Sequence, residues 1–128
     1  MSSSKNKVAL VTGASRGIGA AIAERLAKDG FTVVINYSGN VALAAELVQR
    51  IERDGGKALT AQADVSNPEA VRRMFDAAEA AFGGIDVLVN NAGIMQLSSI
   101  AEADDANFDR QVSVNLKGTF NTLREAGK

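Results

Sequence analysis

Three glycines near the amino terminus have a spacing that suits the binding of an anion. The stretch TGASRGIG, Thr12 to Gly19, places Gly13, Gly17 and Gly19 in the pattern G-x-x-x-G-x-G. A residue without Cβ lets the chain bend sharply and lets a phosphate approach the backbone closely. A helix that starts near Gly17 would point its free N–H groups at that anion. The stretch therefore predicts a turn that holds a pyrophosphate; a tight turn that merely tolerates glycine is the alternative.

The segments on either side of this turn favour the pyrophosphate interpretation. A short apolar run at residues 7–11 (KVALV) precedes the turn and predicts a buried strand. Gly30 marks the expected end of a following helix, whose apolar positions have helical spacing: Ile18, Ala21, Ile22 and Leu26. A glycine-rich turn between a strand and a helix is the setting in which dinucleotides bind. No Gly-Lys-Ser/Thr sequence follows, so the stretch is not a Walker phosphate loop.

The same alternation of strand-like and helix-like segments continues along the chain. Further strands are predicted at 31–35, 59–65 and 85–89, and further helices at 41–53, after Pro68 and through the carboxyl-terminal segment. Ser66 and Glu69 predict a capping box for the third helix, with Pro68 in its first turn. Strands that alternate with helices in this way predict an α/β fold, a parallel sheet with helices on both faces.

The composition excludes several functional classes. At 128 residues the chain is expected to form one domain, 1–128, with a core of its own. Its net charge of −1 gives no field that would recruit nucleic acid or an anionic membrane. Cysteine and histidine are both absent, which removes disulfides, the usual metal ligands and the usual general base. The start MSSSKNK lacks a signal peptide's apolar core and no apolar run approaches membrane-spanning length, so a cytoplasmic protein is expected.

Four motifs together resemble the short-chain dehydrogenase/reductase family. TGASRGIG, the pair Asp64-Val65 after the third strand, NNAG at Asn90 to Gly93 after the fourth strand, and Asn115 in NLKGTF follow one another in family order. The resemblance spans almost the whole chain, and its wording is most similar to the 3-oxoacyl-carrier-protein reductase type. It implies a Rossmann-type doubly wound parallel sheet, truncated after the fourth strand and the following long helix.

The resemblance implies cofactor contacts in the first half of the chain. Ser15, Arg16 and Ile18 would line the pyrophosphate and the adenosine ribose, beside the three glycines of the turn. Asp64 would hydrogen-bond the adenine amino group, with Val65 next to it. From the residues alone, Asp64 has an alternative role as an acidic residue at a helix N-terminus, where the helix dipole favours negative charge.

Further contacts are implied beyond the fourth strand. Asn91, Ala92 and Gly93 would pass under the adenosine and nicotinamide riboses. Asn90 and Asn91 have an alternative role as turn residues at a strand end, which asparagine suits well. Asn115 would be the helix asparagine whose backbone helps to hold the water relay of the catalytic site, an assignment that depends entirely on the resemblance.

The end of the second strand favours NADP(H) over NAD. A dinucleotide fold that selects NAD usually places an acidic side chain there, bonded to the ribose 2′-hydroxyl. Residues 35–40 read INYSGN and contain no acid; Tyr37 stands where the acid is expected, and Ser38 follows with a hydroxyl donor. Arg16 in the glycine turn supplies a cation for a 2′-phosphate, or is simply a solvated loop arginine.

The catalytic residues that the resemblance implies are absent from this sequence. They are a serine, a tyrosine proton donor and a lysine four residues beyond the tyrosine. The single tyrosine is Tyr37, and Val41 stands four residues later. We therefore expect this chain to be the NADP(H)-binding portion of a reductase and to be inactive alone. The parent protein is expected to reduce a small carbonyl (a 3-oxoacyl group or similar ketone) to a hydroxyl. A non-catalytic nucleotide-binding or interaction module and an inactive truncation product are the alternatives.

The end of the sequence predicts an apolar surface that nothing covers. The fourth predicted strand would present an unpaired edge. A helical stripe would also lie partly bare; it consists of Phe108, Val112, Leu116, Phe120 and Leu123. We expect the chain to pair through these surfaces, as a homo-oligomer.

Overall fold

The computed structural model describes residues 7–15, 17–91, 105–106, 109 and 116–126. In the described residues, strands and helices alternate along the chain as the sequence predicts. They are β1 (Val8–Val11), α1 (Gly17–Lys28), β2 (Thr32–Tyr37), α2 (Val41–Arg53), β3 (Lys57–Gln62), α3 (Pro68–Phe82), β4 (Val87–Val89) and α4 (Gly118–Ala126).

The strands form a parallel sheet in the order β3-β2-β1-β4. Leu10 of β1 lies beside Val34 of β2 on one side and Leu88 of β4 on the other. All four residues of β1 are buried, as expected for the unbroken apolar run of a strand that is covered on both faces. The sheet and its order confirm the predicted α/β, Rossmann-type fold class.

Helices cover both faces of the sheet, and each face has its own core cluster. Neighbouring residues of a strand point to opposite faces, so Leu10 and Val34 join one cluster while Val11 and Val33 join the other. The first cluster packs against α3, and the second packs against α1 and α2. Leu47 of α2 is fully buried in the second cluster. The apolar residues of the helices therefore bury the two faces of the sheet.

Several predicted strand boundaries differ from the structure, most of all in the second and third strands. The third strand was expected at 59–65 but runs from Lys57 to Gln62, and the second strand continues to Tyr37 instead of ending at Ile35. The ladder between β2 and β3 ends where Tyr37 lies beside Gln62. Beyond that point the apolar residues from Ala63 onward are buried by helix packing and not by strand pairing, which the apolar pattern alone does not distinguish.

The predicted capping box of the third helix is wrong. The N-cap of α3 is Asn67, whose side chain accepts from the backbone N–H of Glu69 at 3.0 Å and of Ala70 at 3.3 Å. Pro68 is the first helical residue, and a residue before proline is held in the extended conformation that an N-cap needs. Ser66 instead donates its hydroxyl to Asp64 at 2.6 Å.

The beginning of β4 is fastened to β1 by Asp86. Its backbone N–H donates to the Val8 carbonyl, and its carboxylate accepts from the Val8 N–H, both at 2.8 Å. Within the ranges that the structure describes, β4 pairs with β1 alone, so its other side is a sheet edge, as the sequence predicts. No helix in the same ranges is both long and apolar enough to cross a bilayer.

Candidate cofactor site

The candidate site lies where the carboxyl ends of β1 and β4 meet. The glycine turn, Thr12 to Ser15, directly follows β1, and α1 begins at Gly17. Asn90 and Asn91 directly follow β4. Because β2 and β3 lie on one side of β1 and β4 lies on the other, the order of the strands reverses at this point. Open parallel sheets bind their ligands in the crevice at such a reversal.

The glycines of the turn have different structural roles. Gly13 and Gly17 adopt left-handed backbone conformations, with φ of 61° and 64°, which side chains disfavour. Among the described residues, a Cβ on Gly17 would meet no atom within 4 Å beyond its own helix and chain neighbours, so the backbone there is open to approach. A Cβ on Gly19, in contrast, would lie 2.5 Å from both the Asn91 Nδ2 and the Gly13 carbonyl. Gly17 therefore permits an approach to the backbone, whereas Gly19 permits close packing of the turn.

Asn91 holds the turn against the end of β4. Its Nδ2 donates to the Gly13 carbonyl at 3.1 Å, and its backbone N–H donates to the Thr12 hydroxyl at 2.9 Å. The Thr12 N–H in turn donates to the Val89 carbonyl at 3.0 Å. These three bonds extend the pairing of β1 and β4 into the loops, so the turn is a rigid extension of the sheet.

Asn36 of β2 supports the same turn from the other side. Its Oδ1 accepts from the Gly13 N–H at 3.1 Å. Its Nδ2 donates to the carbonyls of Ala61 and Ala63, at 3.2 and 3.1 Å. The residue is 2 % exposed. Sequence reasoning missed Asn36, although one signal was present: an amide within a strand buried on both faces must find buried partners.

Asp64 and Val65 lie just beyond the end of β3. The Asp64 carboxylate accepts from the Ser66 N–H at 3.0 Å and from the Ser66 hydroxyl, and so shapes the turn that leads to α3. Because α3 begins at Pro68, Asp64 lies outside the first turn of that helix. Val65 is buried, and its carbonyl accepts from the Asn121 Nδ2 at 2.9 Å.

The residues at the end of β2 lie in unlike environments. Tyr37 is 9 % exposed and belongs to the core cluster beside α1 and α2, so its ring is mainly a core element. Ser38 is exposed, and its carbonyl accepts from the Gln62 Nε2 at 3.1 Å. Gln62, the last residue of β3, thus ties down the loop that follows β2, a contact that sequence reasoning did not anticipate.

The start of α1 presents predicted site residues toward solvent. Ile18 is 74 % exposed, unusual for a large apolar side chain on a helix that packs against a sheet. Ser15, at the end of the turn, is partly exposed. Four further predicted site residues lie outside the described residues: Arg16, Ala92, Gly93 and Asn115.

Helix α4 packs against α3 and against the ends of loops beside the sheet, through small and polar residues. A Cβ on Gly118 would lie 2.5 Å from the Val65 side chain, so the helix approaches the end of β3 closely. Asn121 and Thr122 are buried; the first bonds to Val65, and the Thr122 hydroxyl donates to the Asn90 Oδ1 at 2.5 Å. Sequence reasoning missed this polar face, because it searched the helix for apolar periodicity.

The apolar residues of α4 and of the turn before it are exposed. Leu116, Phe120 and Leu123 are 69, 58 and 56 % exposed, which confirms for these three residues that the predicted stripe is bare. The Arg124 guanidinium lies 5.1 Å from the centre of the Phe120 ring and covers part of it. Phe108 and Val112, the other two members of the stripe, lie outside the described residues.

The side chains that line the crevice in the described residues are mostly uncharged. No group of three or more acidic, histidine or cysteine residues that could hold a metal ion occurs in the described part of the chain. The hydrogen bonds at the crevice are made by backbone amides and carbonyls, the Thr12 hydroxyl and the carboxamides of Asn36 and Asn91. Such groups can donate hydrogen bonds to a ligand or accept them from it.

The fold and this turn define a class of protein: the chain belongs to the short-chain dehydrogenase/reductase family. Residues 7–128 match the family described as short chain dehydrogenase. Members of this family use a nicotinamide dinucleotide as cofactor, and the part matched here is the amino-terminal, cofactor-binding half.

The relatives that the chain resembles include proteins named as oxidoreductases. It is 46 % identical, over its whole length, to an uncharacterized oxidoreductase of Methylorubrum extorquens, of which it covers 52 %. It is 41 % identical to a 3-oxoacyl-[acyl-carrier-protein] reductase of Staphylococcus epidermidis, with 94 % of this chain and 49 % of the relative covered. Thus the chain spans about half the length of these curated relatives.

A solved structure shares both the fold and the sequence pattern. The short chain dehydrogenase of Burkholderia cenocepacia, solved in complex with NADP, superposes with a TM-score of 0.92 at 44 % identity. The superposition covers 97 % of this chain and 51 % of that one. The likeness therefore extends through the described strands and helices of this chain.

Proposed function

We propose that this chain is the NADP(H)-binding part of a reductase that, as a whole, uses NADPH to reduce a small carbonyl compound to an alcohol. The observation that carries the proposal is the glycine turn, fixed at the sheet reversal by Asn91 and opened to solvent at Gly17. The relative solved with NADP and the 3-oxoacyl-carrier-protein reductase among the relatives support the cofactor and the substrate class.

The residues present fit a dinucleotide. At Gly17 the left-handed backbone and the absence of neighbours within 4 Å suit the close approach of a phosphate. The turn and the start of α1 would hold the pyrophosphate through Gly13, Ser15 and Ile18, and Asp64 with Val65 would bind the adenine. Asn91, Ala92 and Gly93 would support the riboses. Bound NADPH would supply the hydride, and these residues would bind and orient the cofactor.

The end of β2 supports NADPH as the preferred cofactor. Asn36, Tyr37 and Ser38 carry no charge, so a 2′-phosphate would meet no carboxylate at that strand end. Gln62 holds the Ser38 carbonyl, which fixes the loop where the adenosine ribose would lie. Arg16 would supply the cation for the 2′-phosphate, and its guanidinium can bond two phosphate oxygens at once.

The reduction itself is proposed for the whole protein and not for these 128 residues. Proton donation to a carbonyl oxygen needs an acid with a suitable pKa within hydrogen-bond reach. The one tyrosine of the chain, Tyr37, is a core residue, and no lysine stands four positions beyond it. Asn115 would contribute through its backbone to a catalytic site whose other members this sequence does not contain.

A cofactor titration tests this proposal. The 128-residue chain, titrated with NADPH and with NADH and followed by nicotinamide fluorescence, is expected to bind NADPH more tightly. Arg16→Ala should reduce the preference for NADPH by about tenfold or more, since a charge-assisted hydrogen bond contributes about 1.5–3 kcal/mol and each 1.4 kcal/mol is tenfold. Its effect on NADH should be small, because NADH has no 2′-phosphate.

Arg25→Ala is the matched control for this experiment. Arg25 lies farther along α1, with its side chain 78 % exposed and paired with Asp29, so its removal should leave the cofactor preference unchanged. Equal affinity for the two cofactors would contradict the assignment to NADP(H). Binding of neither would contradict a cofactor site in this chain taken alone.

A further inference from the structure

The buried side chain of Asn36 joins the two halves of the candidate site. Its Oδ1 accepts from the N–H of Gly13, in the turn proposed to hold the pyrophosphate. Its Nδ2 donates to the carbonyls of Ala61 and Ala63, the latter being the residue before Asp64, proposed to bind the adenine. One amide group therefore contacts the backbone of both ligand-binding segments.

The hydrogen bonds of Asn36 fix the orientation of its side-chain amide. The amide has two donor hydrogens and an acceptor oxygen, and here they meet two carbonyls and one N–H. Rotation of the amide by 180° would place its oxygen against the two carbonyls and its NH₂ against the Gly13 N–H. All three bonds would be lost, and like dipoles would face one another. The orientation of Asn36 is therefore fixed by its partners.

Backbone bonds at and beside Asn36 also connect these two segments to β2. The ladder between β2 and β3 ends at Gln62, and Ala63 is held beyond it by its N–H bond to the Tyr37 carbonyl at 2.9 Å. The turn is held to β2 by the Gly13 bond and by the Ala14 N–H, which donates to the Asn36 carbonyl at 2.9 Å. Both connections run through β2 at or beside Asn36.

From this geometry we infer that Asn36 is a positioning residue for cofactor binding. It sets the distance between the pyrophosphate turn and the segment that leads into Asp64, and it raises cofactor affinity without contacting the cofactor. The identity of the ligand rests on the proposed function, but the coupling of the two segments does not. Substitution of Asn36 should therefore loosen the turn and residues 63–64 together, even in the free protein.

Amide hydrogen exchange of the free chain tests the coupling. In Asn36→Ala, the amides of Ala14 and Ala63 should exchange about tenfold faster relative to the Leu10 amide, the rise expected from the loss of a net hydrogen bond. These two amides bond to backbone carbonyls and not to the Asn36 side chain. Faster exchange at Gly13 alone, with Ala14 and Ala63 unchanged, would overturn the inference.

Asn121→Ala is the matched control, because it also removes a buried amide. Asn121 is 1 % exposed, against 2 % for Asn36, and its Nδ2 bonds to one backbone carbonyl, that of Val65. Its substitution should lower overall stability and leave the ratio of Ala14 to Leu10 exchange as in the original chain. If it raised that ratio as much as Asn36→Ala does, the effect at the turn would be general destabilisation, and the inference would fail.

Asn36→Asp tests separately the contact made by the side-chain oxygen and the contacts made by the side-chain nitrogen. At a pH where the introduced side chain is ionised, its carboxylate still accepts from the Gly13 N–H but has no donor for the carbonyls of Ala61 and Ala63. Exchange should then rise at Ala63 and much less at Ala14. Equal increases at both positions would mean that one contact cannot be lost without the other, and would contradict the separate roles of the oxygen and the nitrogen.

Titration with NADPH completes the test and separates the inference from the proposed function. Asn36→Ala, at a temperature where it remains folded, should bind NADPH about tenfold more weakly, and 2′,5′-ADP weaker by a similar factor. Unchanged affinities would overturn the positioning role. If the original chain binds neither ligand, the proposed function fails, whereas the exchange experiment still decides whether Asn36 couples the two segments.

Discussion

Gly19→Ala should weaken NADPH binding by a hundredfold or more and lower the free energy of unfolding by about 2 kcal/mol. The added methyl group would lie 2.5 Å from the Asn91 Nδ2 and from the Gly13 carbonyl, so one of these groups must move. A shift of Asn91 breaks its bond to Gly13, and a shift of Gly13 moves the turn itself. Alanine is the better helix former, so a measured loss of stability must come from this contact.

Two companion variants make the Gly19 experiment specific. Asn91→Ala removes the side-chain bond to Gly13 without pushing the turn, so it should weaken binding less than Gly19→Ala does. Gly39→Ala adds a methyl group that meets no atom within 4 Å, so the stability should stay within about 0.5 kcal/mol. Titration and chemical denaturation measure both quantities. Unaltered NADPH affinity in Gly19→Ala would contradict the close packing of the turn on Asn91.

Leu10→Ala should cost about 2–5 kcal/mol of unfolding free energy, the range for truncation of a buried leucine. Leu10 is fully buried in the central strand and belongs to the core cluster against α3, with Val34, Val71 and Met74. β1 has paired neighbours on both sides, so the strand cannot move to fill the cavity without disturbing both ladders. We therefore expect a loss in the upper part of this range.

Leu123→Ala is the control for Leu10→Ala, since it makes the same chemical change at an exposed position. Leu123 is 56 % exposed on α4, and its truncation should change the stability by less than about 0.5 kcal/mol. Urea denaturation followed by circular dichroism measures both variants. A similar loss in the two variants would contradict the assignment of Leu10 to the core and of Leu123 to the surface.

The elements of this fold are predictable because their signals are local. The apolar run of β1, the helical spacing after Gly17 and the glycines that end helices lie within short windows of sequence. In each window the apolar residues recur with a period of two or of 3.6 residues, which predicts a strand or a helix. The position of the glycine turn between β1 and α1 follows in the same way, and so does the exposed face of α4.

The interior bonds of the site are not predictable from the same signals. Asn36 bonds to a residue 23 positions earlier, and Asn121 bonds to one 56 positions earlier. No sequence window contains both partners, so an asparagine in a strand or helix looks like a surface residue or an error in the pattern. Tyr37 is a further example. It stands where a residue that contacts the ribose is expected, but its side chain belongs to the core cluster beside α1 and α2. The capping of α3 by Asn67 was missed because Ser66 offered a competing local pattern.

In the described part of the chain, the side chains that hydrogen-bond to the glycine turn are not ionisable. Thr12, Asn36 and Asn91 fix it by a hydroxyl, two carboxamides and backbone amides. Such groups neither gain nor lose protons over the range in which proteins normally work. The shape of the turn should therefore be the same in mildly acidic and in mildly alkaline solution. Any dependence of cofactor affinity on pH must then originate elsewhere, in the phosphates of the ligand or in other side chains.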